Sequence, residues 1–271
     1  MVSKRQRVLL EVIQELINNN IRSRVYLFKS LFLLDKEYGL NIGFDFHPYK
    51  FGPYSIIIDR EINKLIKNNY IRKEGNFYKV NKCGKLSNDS IKQIINKFKS
   101  QRQILEYVYE NYPFFASRSE KIARKKEQIK KGLFDIGYEK KSIDLFISLL
   151  LINNINCLID VRYNAFSMNF DYTKKKLKKY LNDRGVEYLH LKELGINGSL
   201  RKSLESEEDY KLLFKNYKKS LKYKQELLNI VISKSKEEGT AIMCFEKDNK
   251  FCHRGVIAKE LMRQGIGVTA I

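Results

Sequence analysis

Cysteine is scarce, and no two cysteines form a CxxC pair: four occur in 271 residues without regular spacing. That pattern argues against a zinc site or a disulfide framework and makes the cytoplasm the expected compartment. No P-loop, dinucleotide-binding glycine pattern or metal-ligand spacing occurs either, so no cofactor and no metal are implied. Long apolar runs are also missing. The most apolar stretch, Leu145 to Leu158, is broken by Asn153, Asn154 and Asn156 and is too short and polar to span a bilayer. The N-terminus leads into an amphipathic pattern rather than an uncharged signal-peptide core, so no membrane association is expected.

What the chain has in excess is positive charge. Lys and Arg number 52 against 31 Asp and Glu, a net charge of +21. Such an excess points to a polyanionic partner, nucleic acid first, double-stranded DNA in particular, and an acidic membrane surface second. Richness in Lys, Asn and Ile can also follow from genome base composition. A homo-oligomer is compatible with the sequence, which does not set the oligomeric state.

The chain reads as three regions. Residues 1–86 carry two amphipathic helices, an aromatic loop from Phe44 to Tyr54, a third helix, and a hairpin turning at Glu74-Gly75-Asn76. Three helices followed by a basic hairpin is the order of a winged helix, in which Arg72, Lys73 and Lys79 would meet phosphates. Winged helices also serve as protein-interaction modules, and the start of the third helix is not strongly basic. Residues 87–131 read as a helical, basic connector, with Arg124, Lys125 and Lys126 able to track a phosphate backbone. Charge runs of this kind are also ordinary solvated surface.

Residues 132–271 alternate strand and helix, which predicts a parallel α/β sheet. The strands fall near Leu133–Ile136, Cys157–Arg162, Val186–Leu191 and Ala241–Phe245. Val256, Ile257, Leu261 and Met262 then recur at helical spacing up to Gly265. Polar residues gather at or beyond the carboxyl ends of these strands: Tyr138, Asp160 with Arg162, His190 with Glu193, Cys244 with Glu246, and Cys252-His253-Arg254. Ligands bind at that edge of open parallel sheets, and a helix N-terminus there favours an anion or thiolate. Arg254, read as the first residue of the last helix, would hold an anion bidentately. Cys252, beside His and Arg, has the surroundings of an activated thiol. Cys244 in an apolar strand reads equally well as a small buried hydrophobe. Asp160 and Arg162 also fit a structural ion pair, and His190 a hydrogen-bonded core position.

The segments Asp135-Ile-Gly-Tyr138, Leu158-Ile-Asp160-Val-Arg162, Tyr188-Leu-His-Leu-Lys-Glu-Leu-Gly195 and Cys244…Glu246…Cys252-His253-Arg254 resemble the domain of unknown function 488 family. The likeness runs from about Lys131 to the C-terminus. It implies an α/β domain with Asp-Val-Arg and Cys-His-Arg elements and leaves the activity open. The segment after Asp-Val-Arg, rich in Arg and Pro in that family, is here Tyr163-Asn-Ala-Phe-Ser-Met-Asn-Phe170. A more distant likeness is to rhodanese-type domains, where Cys244 would take the place of the catalytic cysteine on a longer loop.

Three functions follow as expectations. One is a nucleic-acid-associated protein whose α/β domain binds or processes a phosphate-bearing group. The second is a rhodanese-like thiol enzyme on a small substrate, and the third a ligand-sensing transcriptional regulator.

Overall fold

The computed structural model describes residues 2–82, 88–122, 130–201 and 206–271. The chain divides into two compact units, Met1–Lys125 and Lys126–Ile271. The first comprises α1 (Lys4–Asn18), α2 (Arg24–Lys36), β1 (His47–Tyr49), β2 (Gly52–Tyr54), α3 (Ile56–Lys67), β3 (Ile71–Glu74), β4 (Phe77–Val80), α4 (Asp89–Lys97), α5 (Gln101–Asn111) and α6 (Pro113–Ala116). Helix starts follow side-chain chemistry. Ser3 and Gln6 make a reciprocal capping box on α1, and Ser23, Ser55, Asn88 and Ser100 each accept an amide of their helix's first turn.

The region read as a connector departs from expectation. Ile91, Ile94, Ile95, Phe98, Ile104 and Val108 of α4 and α5 pack into one core with Leu9, Ile13, Leu27, Phe32 and Ile62. Apolar faces at helical spacing need a partner surface, and here α1 and α2 supply it, so residues 89–111 belong to the N-terminal unit. The expected aromatic loop closes instead into an antiparallel pair of strands, His47 opposite Tyr54, with Tyr54 stacked on Phe28 at 5.1 Å. Arg72, Lys73 and Lys79 are exposed on the β3–β4 hairpin, where Arg72 lies opposite Lys79. Arg124, Lys125 and Lys126 lie outside the described residues.

The second unit comprises β5 (Gly132–Gly137), α7 (Ile143–Ile152), β6 (Cys157–Asp160), α8 (Lys174–Asn182), β7 (Glu187–His190), α9 (Glu207–Ser220), α10 (Gln225–Glu237), β8 (Gly239–Cys244), α11 (His253–Arg263) and β9 (Val268–Ala270). The five strands form one wholly parallel sheet in the order β7-β6-β8-β5-β9. Every residue of β6 and β8 is buried, as expected of strands covered on both faces. Ile242 and Cys244 share a core with Leu228 and Val231 of α10 and Ile257 and Leu261 of α11. The chain leaves β6 for the edge strand β7 but leaves β8 in the other direction, over β5 to β9. The carboxyl ends of β6 and β8 therefore flank a topological switch point, where an open parallel sheet leaves a crevice. Among the described residues no helix is long and apolar enough to cross a membrane.

Candidate active site

A cavity of about 440 Å³ opens at that switch point. Its walls come from Tyr138 after β5, the Arg162–Asn169 loop after β6, Ile196 and Gly198, and Cys244, Phe245 and His253 after β8. The size falls within the range of about 300–1,000 Å³ usual for small-molecule sites.

Cys244 and His253 border the cavity, and Cys252 lies behind them. Cys244 Sγ and Cys252 Sγ lie 3.9 and 3.8 Å from His253 Nδ1, and all three residues are buried. The other ring nitrogen, Nε2, is 2.9 Å from the carbonyl oxygen of Val161. A carbonyl only accepts, so Nε2 carries the proton, and in neutral His253 the bare Nδ1 faces the two sulfurs. The Cys244 thiol is pulled down to about 6, first by its hydrogen bond with Cys252, then, against burial, by His253. Cys252 moves the other way, pushed up by burial and by Cys244 and Glu246. The two thiols are therefore driven apart, Cys244 toward the thiolate and Cys252 toward the neutral thiol. Cys252 is the N-cap of α11 and His253 its first residue, so the partial positive charge of that helix end lies beside the thiolate.

The three ligand atoms lie within 4.8 Å of one another, near enough for a single soft or borderline cation. The sequence places these residues at one sheet edge, but their spacing matches no metal-ligand motif; the turn from Phe245 to Phe251 folds back to bring the three ligand atoms together. Cys157 belongs to a different environment; burial pushes its thiol up to about 12.

Arg254 has a role other than the expected grip on an anion. It is buried, follows the first helical residue, and does not line the cavity. Its guanidinium pairs with Asp135 of β5 and donates to the carbonyls of Ile136 at 2.8 Å, Glu246 at 3.1 Å and Lys247 at 3.5 Å. Asn249 Nδ2 reaches the other oxygen of Asp135 at 2.5 Å. Arg254 thus ties the β8–α11 turn to β5. Gly137 permits the close approach, since a Cβ there would fall 1.8 Å from the Glu246 carbonyl oxygen.

Arg162 is held as firmly. Its Nε and Nη2 donate to Asp160 at 2.9 and 2.6 Å, Nη1 to the Tyr138 hydroxyl at 3.0 Å, and Nη2 also to the Tyr172 carbonyl at 2.9 Å. Burial would lower its pKa, but the bonds to Asp160 and Tyr138 raise it overall. Tyr188 donates to Asp160 at 2.6 Å, and burial followed by that carboxylate raises the Tyr188 hydroxyl. Tyr138 stacks on Tyr172 with centroids 4.1 Å apart.

Of the residues expected to converge, Tyr138, Arg162, Cys244 and His253 line the cavity. Asp160, Cys252 and Arg254 stand behind its wall as buried supports. Glu246 acts on the Cys252 thiol from the turn. His190 Nε2 donates to the Arg162 carbonyl at 2.9 Å, and its Nδ1 accepts from Lys174 at 3.2 Å, fixing the start of the cavity loop. Glu193 is exposed. Sequence reasoning missed Tyr163, Phe166 and Met168, which make the apolar rim. Their signal was the run of large apolar side chains between two polar strand ends.

Searches among curated proteins and among solved structures find no match. A family model does match, from Ser142, the N-cap of α7, to Leu261 within α11. The matched stretch holds β6, β7 and β8 and the whole Cys244–Cys252–His253 cluster, and none of the N-terminal unit. The model that residues 142–261 match is that of a domain of unknown function, DUF488.

Proposed function

We propose that the C-terminal unit is a thiol enzyme that acts on a small organic group held in the cavity, with Cys244 as its nucleophile. One observation carries this reading: Cys244 Sγ borders the cavity while 3.9 Å from an imidazole nitrogen whose partner nitrogen is fixed on Val161. His253 takes the thiol proton, and the thiolate attacks an electrophilic atom of the substrate. A bond forms from sulfur to that atom as the leaving group departs with the proton returned by imidazolium. Cys252 and the first amides of α11 hold the thiolate's charge. The engagement of Arg254 with Asp135 and three carbonyls argues against a phosphate grip at that residue.

Iodoacetamide alkylation followed residue by residue between pH 4 and 9 tests the reading. Cys244 should react first, with a midpoint near the value of about 6 set by its neighbours. His253→Ala should move that midpoint upward. A Cys244 no more reactive at neutral pH than the buried Cys157 would refute it.

A second reading concerns the N-terminal unit. Exposed Arg72, Lys73 and Lys79 on the hairpin, with exposed Lys64 and Lys67 on α3, favour contact with duplex phosphates. Each phosphate neutralised should contribute about −0.9 to the slope of log affinity against log salt. Reversing the charge of Arg72 and Lys73 should flatten that slope; duplex binding that is absent at low salt overturns the reading.

A further inference from the structure

We infer that the rim of the cavity is a binding surface for single-stranded nucleic acid, with one base seated above Cys244. This rests on the thiol reading only for what happens to the base; the surface itself is argued independently. The loop after β6 leaves large apolar side chains in solvent: Phe166 is 63% exposed, Met168 94% and Phe170 67%. Water-exposed aromatics concentrated on one loop are unfavourable unless a flat partner covers them. Cations stand against the same rings. Lys176 Nζ lies 5.4 Å from the Phe170 ring centre, and Lys192 Nζ 4.8 Å from that of Tyr163.

Helix α8 begins four residues after Phe170 with Lys174-Lys175-Lys176-Leu177-Lys178-Lys179. Leu177 is buried, whereas Lys174, Lys175, Lys178 and Lys179 are exposed. Aromatic faces beside a lysine-bearing helix are the two parts of a single-strand site: rings stack on bases while ammonium groups follow the phosphates. A duplex hides its base faces and fits this rim poorly. A lipid surface would also meet apolar groups ringed by lysine, but it asks for a convex apolar tip. Here Tyr163 and Phe166 form the wall of a concavity whose polar members, Asn164, Ser167 and Asn169, can meet a base edge. The net charge of +21 is of the sign that the partner requires.

The test uses the full chain and fluorescein-labelled oligonucleotides, twelve thymidines or twelve uridines, in anisotropy titrations from 50 to 200 mM salt. Duplexes of equal length and vesicles of anionic phospholipid serve as the other arms. Phe166→Ala with Phe170→Ala should weaken single-strand binding about twenty-five-fold or more, because stacking on each aromatic is worth about fivefold at the least. Lys175→Glu with Lys178→Glu should reduce the salt slope by about 0.7 for each phosphate no longer neutralised. Both pairs are exposed, so folding should survive, and circular dichroism checks it. Bound oligonucleotide should slow alkylation of Cys244. Single-strand binding that neither pair alters overturns the inference, as does a loss confined to vesicles or duplex. Binding that depends on the loop but leaves Cys244 alkylation unchanged overturns the seating of a base in the cavity. A Cys244 unreactive even without oligonucleotide counts against the thiol reading alone, because anisotropy does not depend on it.

Discussion

Replacing Arg254 separates a clamp from a ligand-binding arginine, because the two roles fail in different places. In Arg254→Lys one nitrogen must do the work of three. An ammonium can keep Asp135 and one of the carbonyls that Nη1 now serves, those of Ile136 at 2.8 Å and Glu246 at 3.1 Å. The other loses its charged donor, at a cost of about 1–3 kcal/mol. The 3.5 Å approach to Lys247 adds little. Arg254→Met removes the charge altogether and leaves Asp135 with Asn249, so the cost rises to about 3–5 kcal/mol, the usual penalty for breaking a buried pair. Hydrogen exchange read by mass spectrometry localises the effect. Amides in residues 134–138 and 245–256 should exchange about thirtyfold faster in the lysine variant, taking about 2 kcal/mol, and several hundredfold faster in the methionine variant. Segments of the N-terminal unit should not change. If both variants keep wild-type protection in these two segments, the clamp is refuted, and an arginine poised for an anion becomes the better account.

Gly137→Ala should act on the same turn from the other side: its Cβ would sit 1.8 Å from the Glu246 carbonyl oxygen, so the melting temperature should fall and fast Cys244 alkylation be lost. Lys29 is buried with Nζ donating to the Pro53 carbonyl at 3.0 Å, and burial lowers it to about 7 from the usual 10.5. The unfolded chain then holds more protons above pH 7, so the N-terminal unit should gain stability from pH 7 to 9 in urea melts. Lys29→Met should abolish that slope. Finally, a chelator should leave Cys244 alkylation unchanged if the cluster works as free thiolate and imidazole. A rate that rises on chelation, with zinc released, would show that a cation occupies the three ligand atoms.

Much of this architecture is legible in local chemistry. Serines at 3, 23, 55, 100 and 142 cap helices where short-range patterns place helix starts. Alternation of strand and helix after residue 132 is enough for a parallel sheet, because parallel neighbours need a crossover and a helix is the compact one. The edge strand Val268–Ala270 escapes such reading: three residues carry no periodicity, and only pairing with Leu133–Asp135 makes them a strand. The helices at 89–111 show apolar faces in the sequence, but a face does not name its partner.

The sequence by itself determined most of the helices and the central strands, the excess of positive charge, and the edge of a parallel sheet at which polar side chains gather, because local pattern and composition carry those. Only the tertiary structure decided what those side chains do. Whether Arg254 meets a ligand or the protein depends on Asp135, which lies on β5 far back in the sequence. Cys244 and Cys252 are eight positions apart, a spacing that signals nothing until the turn brings both sulfurs to one imidazole nitrogen. A thiol's acidity is set within a few ångströms, by burial and by what donates to it, and those distances are fixed by the packing of β5, β8 and α11 against each other.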